Sequence, residues 1–265
     1  TVNLTGGGWS AIGQVTEDGV TYDRYSNGTG EVRVQESIHV PALVLDLTTL
    51  SASQGFIVQG DNVGDNLGTG VSTAGDINGD GFDDLIVGAN YAYHNGNYAG
   101  EAYVIYGSAS GFGTDISDRQ VVDVTTLDIS TGFVISGDGS IDRLGFSVSS
   151  AGDINGDGYD DLIIGADRHD EAYVIFGSAS GFGVDVSGRQ VIDPTSLDAA
   201  TGFVIQGNDV TDHLGVSVSS AGDINGDGYD DLIVGANRGD IGGVFAGQAY
   251  VVFGTALGFG VDIAG

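Results

Sequence analysis

Three nine-residue segments carry the residues of this chain that are best suited to binding an ion. They occupy residues 76–84, 153–161 and 223–231, and each has the pattern Asp-Ile-Asn-Gly-Asp-Gly-aromatic-Asp-Asp. Oxygen atoms from the side chains at positions 1, 3, 5 and 9 can converge on a hard cation, and the backbone carbonyl at position 7 can add another ligand. Glycine at position 6 permits the sharp turn. The repeated set of oxygen ligands predicts three calcium-binding loops.

Each predicted loop supplies four side-chain ligands and one carbonyl ligand. The expected ligands are Asp76, Asn78, Asp80, Phe82 and Asp84 in the first loop, Asp153, Asn155, Asp157, Tyr159 and Asp161 in the second, and Asp223, Asn225, Asp227, Tyr229 and Asp231 in the third. The aspartates at position 8, Asp83, Asp160 and Asp230, are expected to lie outside the ligand set. The alternative is that these Asp, Asn and Gly residues form turns without an ion.

A helical calcium motif matches these loops poorly. An EF-hand loop is flanked by helices and ends in a Glu at position 12, whereas position 12 here is Val87, Ile164 or Val234. An apolar residue at this point is typical of a strand that leaves the loop. Each ion is therefore expected to hold a turn between two strands.

The amino-acid composition limits the classes of partner that the chain is expected to bind. The 265 residues include 37 acidic and 7 basic residues, which gives a formal charge of −30, and nucleic acid and anionic membrane surfaces are therefore not expected as partners. The chain has no cysteine, so calcium is the expected substitute for disulfides in an extracellular setting. No apolar run approaches the roughly 18 residues of a membrane span, so membrane insertion is not expected.

The loops lie inside a longer repeat whose landmarks recur in order. Each repeat contains, in this order, an Asp-x-Thr/Ser landmark, a Gly-Phe-apolar-apolar landmark, a Leu-Gly landmark and the calcium loop. The second repeat is offset from the first by 77 residues, and the third from the second by 70. The repeats cover about 44–119, 120–189 and 190–265. Their apolar segments are short, β-branched or aromatic, and bounded by Gly, Asn and Asp, which predicts strands rather than helices. Four strands per repeat favour the blades of a β-propeller.

These residues resemble a known family. The Leu-Gly-x-Ser-Val stretch, the Asp-x-Asn-x-Asp-Gly-x-x-Asp loop and the following Gly-Ala are similar to the FG-GAP repeat of integrin α-chain propellers and of large bacterial secreted or surface proteins. The resemblance covers residues 44–265. It implies that the side chains named above bind calcium between the first and second strands of each blade, on the face opposite the usual ligand surface.

The number of blades departs from the family pattern. Its propellers usually have seven blades, and three repeats are recognisable here. A longer propeller, blades completed by a second chain, or an open array would each account for this. Residues 1–43 predict a small three-stranded β-meander, either the end of a preceding module or a degenerate blade. The expected fold is thus an all-β propeller or partial propeller with three recognisable four-stranded blades.

The connections that differ between repeats are the better candidates for specificity, because binding residues tend to lie on loops of a rigid scaffold. Between the second and third strands, the first repeat has an aromatic loop, whose side chains could stack on a sugar, contact a protein or cover the next blade. The second and third repeats place an Arg there. The candidate ligand-surface residues are Tyr91, Tyr93, His94, Tyr98, Arg168 and Arg238.

Catalysis is not expected. The chain contains no Gly-x-Ser-x-Gly elbow, no His-Glu-x-x-His and no cysteine nucleophile. The predicted function is that of a secreted or surface-displayed protein that binds calcium and mediates adhesion to a glycan or protein, by resemblance to adhesion propellers. The alternatives are a subunit of a calcium-dependent extracellular filament or surface layer, with self-association through open sheet edges, and an accessory domain of a larger secreted enzyme.

Overall fold

The computed structural model describes residues 8–17, 20–35, 45–93, 97–137, 142–209, 211–241 and 243–260. The chain divides into two compact units, Thr1–Thr49 and Leu50–Gly265. The boundary expected between residues 43 and 44 lies outside the described residues. In these ranges no helix has the length and apolar character needed to cross a membrane.

The first unit contains the predicted three-stranded meander. Its strands pair antiparallel in the order β1-β2-β3, and they are β1 (Ser10–Glu17), β2 (Val20–Ser26) and β3 (Glu31–Gln35). Arg24 pairs with Glu31 across the second hairpin at 2.7 Å, and this contact lowers the pKa of the Glu31 carboxyl to about 2. A short 3₁₀ turn, Leu47–Thr49, ends this unit.

The second unit contains three blade-like sheets, and the strands of each blade pair antiparallel. Blade 1 contains β5 (Leu67–Gly75), β6 (Asp84–Ala89), β7 (Glu101–Ile105) and β10 (Gly132–Ser136). Blade 2 contains β11 (Ser147–Gly152), β12 (Asp161–Ala166), β13 (Glu171–Ile175) and β16 (Gly202–Gln206). Blade 3 contains β17 (Leu214–Gly222), β18 (Asp231–Ala236) and β19 (Gln248–Val252). The predicted all-β fold of propeller blades is confirmed.

Short strands and turns connect the blades. They are β4 (Ile57–Gln59), the hairpin of β8 (Thr114–Ile116) and β9 (Arg119–Asp123), the hairpin of β14 (Val184–Val186) and β15 (Arg189–Ile192), and the 3₁₀ turns Val124–Thr126 and Pro194–Ser196. Asp123 and Asp193 cap the two turns by accepting the N–H of Thr125 and Thr195. The recurring Asp-x-Thr/Ser landmark is therefore a capped turn.

The fourth strand of a blade comes from the following repeat. β10 lies at the start of the second repeat but pairs with β7 of blade 1, and β16 lies in the third repeat but pairs with β13 of blade 2. The sequence landmarks thus do not delimit the blades, because each repeat donates its first strand backwards. This exchange links neighbouring blades through backbone hydrogen bonds.

The blades also pack face to face. β11 contacts both β5 and β17, so the first strands of the three blades are neighbours. Leu162 and Ile164 of β12 belong to the apolar cluster shared with blade 1, whereas Ile163, on the other face of the same strand, belongs to the cluster shared with blade 3. Because side chains alternate along a strand, the sheet of blade 2 is buried on both faces.

Candidate functional site

Each candidate calcium loop joins the first and second strands of a blade, as the sequence predicted. In blade 1 the loop lies between Gly75 of β5 and Asp84 of β6, which are paired residues. The glycines at position 6 have positive φ angles of 92°, 93° and 95° in the three loops, and those at position 4 have 74°, 77° and 78°. The turn therefore requires residues that adopt left-handed backbone conformations without strain.

The loop oxygens are organised by backbone N–H groups. In the second loop, Asp153 accepts the N–H groups of Gly156, Asp157 and Gly158 at 2.7–3.0 Å, and Asp157 accepts that of Tyr159 at 3.0 Å. The Asn155 amide oxygen accepts the Asp157 N–H at 2.8 Å. The other two loops contain the same bonds, apart from the position-4 glycine N–H in the first loop. This arrangement orients the side chains at positions 1, 3 and 5 within one short turn.

The carboxylate at position 9 is fully buried in every loop. Asp84, Asp161 and Asp231 have no exposed surface, and each accepts two backbone N–H groups, one from position 2 of its own loop and one from the glycine after the third strand. Burial raises the pKa of Asp84 to about 6 and that of Asp161 to about 7, and the charges of the position 1 and position 5 aspartates act in the same direction.

The donor set fits calcium, which takes six to eight oxygen ligands. A buried carboxylate beside two further carboxylates is electrostatically unfavourable without a counter-charge, and no basic side chain contacts these loops in the described hydrogen bonds and ion pairs. In the described ranges, no three His, Cys, Asp or Glu side chains are grouped so that they alone could hold a metal. A calcium ion bound in one of these loops would therefore also need the Asn side-chain oxygen and the position-7 carbonyl as ligands.

The aspartate at position 8 connects one loop to the next. Asp160 accepts the N–H of Asp76 in the preceding loop at 2.8 Å, and Asp230 accepts the N–H of Asp153 at 3.0 Å. Asp83 occupies the same position in the first loop and is exposed. We name this contact the interblade latch. Sequence reasoning missed it, because the latch joins residues 84 and 77 positions apart.

The aromatic residue at position 7 takes part in the same interblade contact. The Tyr159 ring lies against Gly79 of the first loop, and the Tyr229 ring lies against Gly156 of the second, so closely that a Cβ atom on either glycine would overlap the ring. The third residue of this kind, Phe82, is exposed. In the second and third loops the side chain at position 7 therefore contacts the preceding blade, and the predicted ligand at this position is the carbonyl alone.

The loops between the second and third strands lie at the opposite end of each blade. Leu67 and Ala89 are paired at this end of blade 1, whereas Gly75 and Asp84 are paired at the calcium end. Tyr91, Tyr93 and Tyr98 are all exposed here. Tyr98 makes edge contacts with the other two rings, with ring centroids 6.2 and 5.2 Å apart. The predicted aromatic residues are thus brought together, while His94 lies outside the described residues.

Blade 2 adds a cation to this aromatic surface. The Arg143 guanidinium lies 5.5 Å from the centroid of the Tyr91 ring and 4.4 Å from that of Phe146, and its Nη1 is 3.2 Å from Asp167 Oδ2. His213 Nδ1 of blade 3 is 3.5 Å from the same oxygen. We name Tyr91, Tyr93, Tyr98 and Arg143 the tyrosine–arginine surface.

The other two predicted arginines lie outside that cluster. Arg168 and Arg238 are exposed, and their backbone N–H groups bond to Asp142 and Asp212 at 3.3 and 3.1 Å. Arg143 was missed from the sequence. A usable signal is its position directly before the Leu-Gly landmark, where Asn66 and His213 stand in the other repeats and all three have positive φ.

Comparison with known proteins agrees with this architecture. A family model described as FG-GAP repeat matches residues 67–105, 144–186 and 214–252. Each match includes the first three strands of one blade and its candidate calcium loop. The chain therefore contains three FG-GAP repeats.

Integrin α chains are among the similar proteins. The chain is 28% identical to integrin alpha-7 of Mus musculus over 181 residues, which are 68% of this chain and 13% of that protein. It is 30% identical to integrin alpha-PS2 of Drosophila melanogaster over 192 residues, 70% of this chain and 12% of that protein. It is 36% identical to integrin alpha pat-2 of Caenorhabditis elegans over 118 residues, 44% of this chain and 9% of that protein. The chain is thus integrin-α-like over a small part of each relative's length.

Proposed function

We propose that this chain is a calcium-binding extracellular adhesion module that binds a protein or glycan ligand and does not catalyse a reaction. The observation that carries the proposal is the separation of two surfaces on one rigid scaffold. The candidate calcium loops lie at one end of the blades, and the exposed tyrosines of the tyrosine–arginine surface lie at the other. The similarity to integrin α chains supports the adhesive role.

Calcium would act as a structural ion in this proposal. Bound in each loop by the side chains at positions 1, 3, 5 and 9 and the carbonyl at position 7, it would supply the positive charge that three adjacent carboxylates lack. The position-9 aspartate is the first residue of the second strand, so the ionisation of its carboxyl group affects how that strand packs. The loop residues would thereby fix the first hairpin of each blade.

The tyrosine–arginine surface suits a protein or glycan ligand. Exposed tyrosines offer a flat apolar face with a hydroxyl group at its edge, which suits both sugar stacking and protein contacts. Arg143 is mostly buried and already paired with Asp167, so its part in this proposal is to position the Tyr91 ring that it lies against.

The location of the protein, outside the cell or on its surface, is also a proposal. A chain that has candidate calcium loops, a candidate ligand surface and no cysteine is consistent with a secreted or cell-surface protein. The expectations of a bacterial source, of no membrane insertion and of no nucleic-acid partner stay predictions from the sequence.

A binding experiment tests the proposed ligand surface. The chain would be applied, in calcium, to immobilised extracellular matrix proteins and to a glycan array, with Tyr98→Ser as the test variant. Loss of the Tyr98 ring, which contacts both neighbouring tyrosines, is expected to weaken binding about 10-fold or more. Ile129→Ser is the matched control, because Ile129 is exposed beside the calcium end of blade 1. Equal binding by both variants would contradict the assignment of the surface.

The second candidate, a structural subunit of a filament or surface layer, stays a prediction from the sequence. The third candidate, an accessory domain of a secreted enzyme, has no specific support in the structure.

A further inference from the structure

The first two candidate calcium loops are joined by hydrogen bonds across the contact between their blades. Asp160, at position 8 of the second loop, donates its N–H to the Asp76 carbonyl at 3.4 Å, and its carboxylate accepts the Asp76 N–H at 2.8 Å. Ser178, which follows the third strand of blade 2, donates its N–H to the Ile77 carbonyl at 2.9 Å. Three hydrogen bonds from blade 2 therefore hold the first two residues of the first loop.

The second and third loops are joined in the same way. Asp230 donates its N–H to the Asp153 carbonyl at 3.3 Å and accepts the Asp153 N–H at 3.0 Å. Thr255 donates its N–H to the Ile154 carbonyl at 2.9 Å. The same three bonds thus occur at both contacts between blades. Both contacts lie between repeats of this chain, so they do not depend on what adjoins its two ends.

A chain of hydrogen bonds also connects the buried carboxylates of neighbouring loops. Asp84 accepts the Ile77 N–H at 3.2 Å, and the Ile77 carbonyl accepts the Ser178 N–H at 2.9 Å. Gly177, the residue before Ser178, donates its N–H to Asp161 at 2.8 Å. Main-chain groups therefore connect the position-9 ligand of the first loop to that of the second. The equivalent bonds connect the second loop to the third.

The latch residue lies directly between two predicted ligands. Asp160 follows Tyr159, whose carbonyl is the position-7 ligand of the second loop, and precedes Asp161, the position-9 ligand. On the other side of the contact, Asp76 is the position-1 ligand of the first loop. A single residue thus separates the ligand set of one loop from that of the next.

Aromatic packing at the same contact depends on both loop conformations. The Tyr159 ring fills the space beside Gly79, and the Tyr229 ring fills the space beside Gly156. Each ring comes from one loop and packs on the backbone of the preceding loop. A loop that loses its folded conformation would therefore also lose its contact with the neighbouring loop.

Ordering one loop is expected to lower the cost of ordering the next. Fixing a backbone conformation has an entropic cost, and the adjacent carboxylates of a calcium-free loop repel one another. In a calcium-bound second loop, Tyr159 and Asp161 are held in place, so Asp160 is already positioned to bond Asp76. The first loop then loses less backbone entropy when it binds its own ion.

We propose that successive loops bind calcium with positive cooperativity, and that the interblade latch carries part of this coupling. The inference rests on the proposed calcium binding. Coupling between two sites is reciprocal, so each of two neighbouring loops raises the calcium affinity of the other by the same factor. The second loop is the centre of the coupling, because it contacts both of the others and no described hydrogen bond joins the first loop to the third.

Repulsion between bound ions opposes this coupling, but a negative charge lies at each contact. The Asp160 carboxylate lies between the first two loops, and the Asp230 carboxylate lies between the second and third. The net charge of −30 further favours the addition of positive charge. We therefore expect a net increase in affinity of about 10-fold for each contact.

Two variants that each keep two intact loops test the coupling. Asp227→Ala removes a ligand from the third loop and leaves the first and second, which are in contact. Asp157→Ala removes the same ligand from the second loop and leaves the first and third, which are not joined. Native mass spectrometry at graded concentrations of free calcium measures how many molecules hold no ion, one ion or two ions.

The one-ion population distinguishes coupled loops from independent ones. A difference in affinity between two independent loops can only raise this population above its statistical value, so a smaller population identifies positive coupling. We expect a one-ion population below the statistical value for Asp227→Ala. For Asp157→Ala we expect a population at or above that value.

The contribution of the latch is tested in the Asp227→Ala background. Asp160→Ala removes the carboxylate that accepts the Asp76 N–H and is expected to lower the coupling factor about 3-fold or more. Asp83→Ala, at the same position of the first loop but exposed, is the matched control and is expected to retain the coupling. Circular dichroism in excess calcium checks that both variants are folded.

Variants with one intact loop supply the affinities that the coupling factor requires. The second loop alone remains in Asp80→Ala with Asp227→Ala, and the first loop alone remains in Asp157→Ala with Asp227→Ala. Each is measured with and without Asp160→Ala. A weaker intrinsic affinity is thereby separated from a loss of coupling.

The possible failures are distinguishable. A wild-type chain that binds no calcium would contradict the proposed function, and the inference with it. Two ions bound by Asp227→Ala with a one-ion population at or above the statistical value, and a coupling factor of about 1, would overturn the cooperativity and leave calcium binding intact. A coupling factor that Asp160→Ala leaves unchanged would overturn the part assigned to the latch.

Discussion

Asp160 and Asp230 are adjacent in sequence to calcium-ligand positions, yet in the structure their side chains form hydrogen bonds to the preceding loop. Each accepts a backbone N–H from the first residue of the preceding loop. The ligand types of the loops could be predicted from the sequence, because a local pattern of oxygens and glycines determines them. The interblade latch could not, since it depends on which loops become neighbours when the blades pack.

The latch leads to a prediction about stability that is independent of calcium stoichiometry. Asp160→Ala leaves the Asp76 N–H without its acceptor and is expected to lower the free energy of unfolding by about 1–2 kcal/mol. Asp83→Ala, at the same loop position but exposed, is expected to change it by less than about 0.5 kcal/mol. Urea unfolding in excess calcium, at a concentration where the chain is monomeric, measures both values. Equal effects of the two substitutions would contradict the latch.

The buried carboxylates Asp84 and Asp161 lead to a prediction about pH. Their folded-state pKa values, about 6 and about 7, lie above the ordinary value of 3.8. A group whose pKa is raised by folding stabilises the fold below its unfolded pKa, and this stability is lost as the pH rises through the folded pKa. In a calcium chelator, the melting temperature is therefore expected to fall between about pH 4 and about pH 7.

Calcium should reverse this pH dependence, because the ion binds ionised carboxylates and competes with protons. Scanning calorimetry with and without the chelator measures both trends. Asp161→Asn removes one titrating group and is expected to make the decline in the chelator shallower, which separates its effect from general charge repulsion. A melting temperature that rises with pH in the chelator would contradict the assignment.

At the scale of elements, the strands were predictable but their partners were not. The apolar runs bounded by Gly, Asn and Asp correctly indicated short strands, as in Asp84–Ala89 and Glu101–Ile105. The pairing of β10 with β7 joins strands from successive repeats, and the hairpin of Thr114–Ile116 and Arg119–Asp123 was not predicted from the sequence. Pairing depends on contacts between segments that a local pattern does not record.

Two glycines, each the last residue of the first strand of a blade, test the contact between blades directly. Gly152 and Gly222 have similar φ angles, 68° and 64°, so an alanine at either position meets the same left-handed strain of about 1–2 kcal/mol. A Cβ atom at Gly152 would also overlap the Asp230 carboxylate, whereas the space beside Gly222 is open. Gly152→Ala is therefore expected to be less stable than Gly222→Ala by about 1–3 kcal/mol. Equal losses in urea unfolding would show that the blades do not meet here.

At the scale of the whole molecule, repetition gives the chain both its scaffold and its acidic charge. Blade 2 is buried on both sheet faces, while the outer faces of blades 1 and 3 keep apolar residues exposed. The number of repeats and their all-β class could be predicted from the recurring landmarks. Which surface each blade presents to its neighbour required the three-dimensional positions of Val71, Val148 and Ile224.

The central claim about the whole molecule is that its three loops bind calcium, which would offset part of the net charge of −30. Native mass spectrometry in calcium and in a chelator tests that claim most directly, with Asp157→Ala as the variant that removes one ligand of the second loop. We expect three calcium ions per wild-type chain, two on the variant, and none in the chelator. A wild-type chain that binds no calcium, or a variant that still binds three ions, would contradict the account.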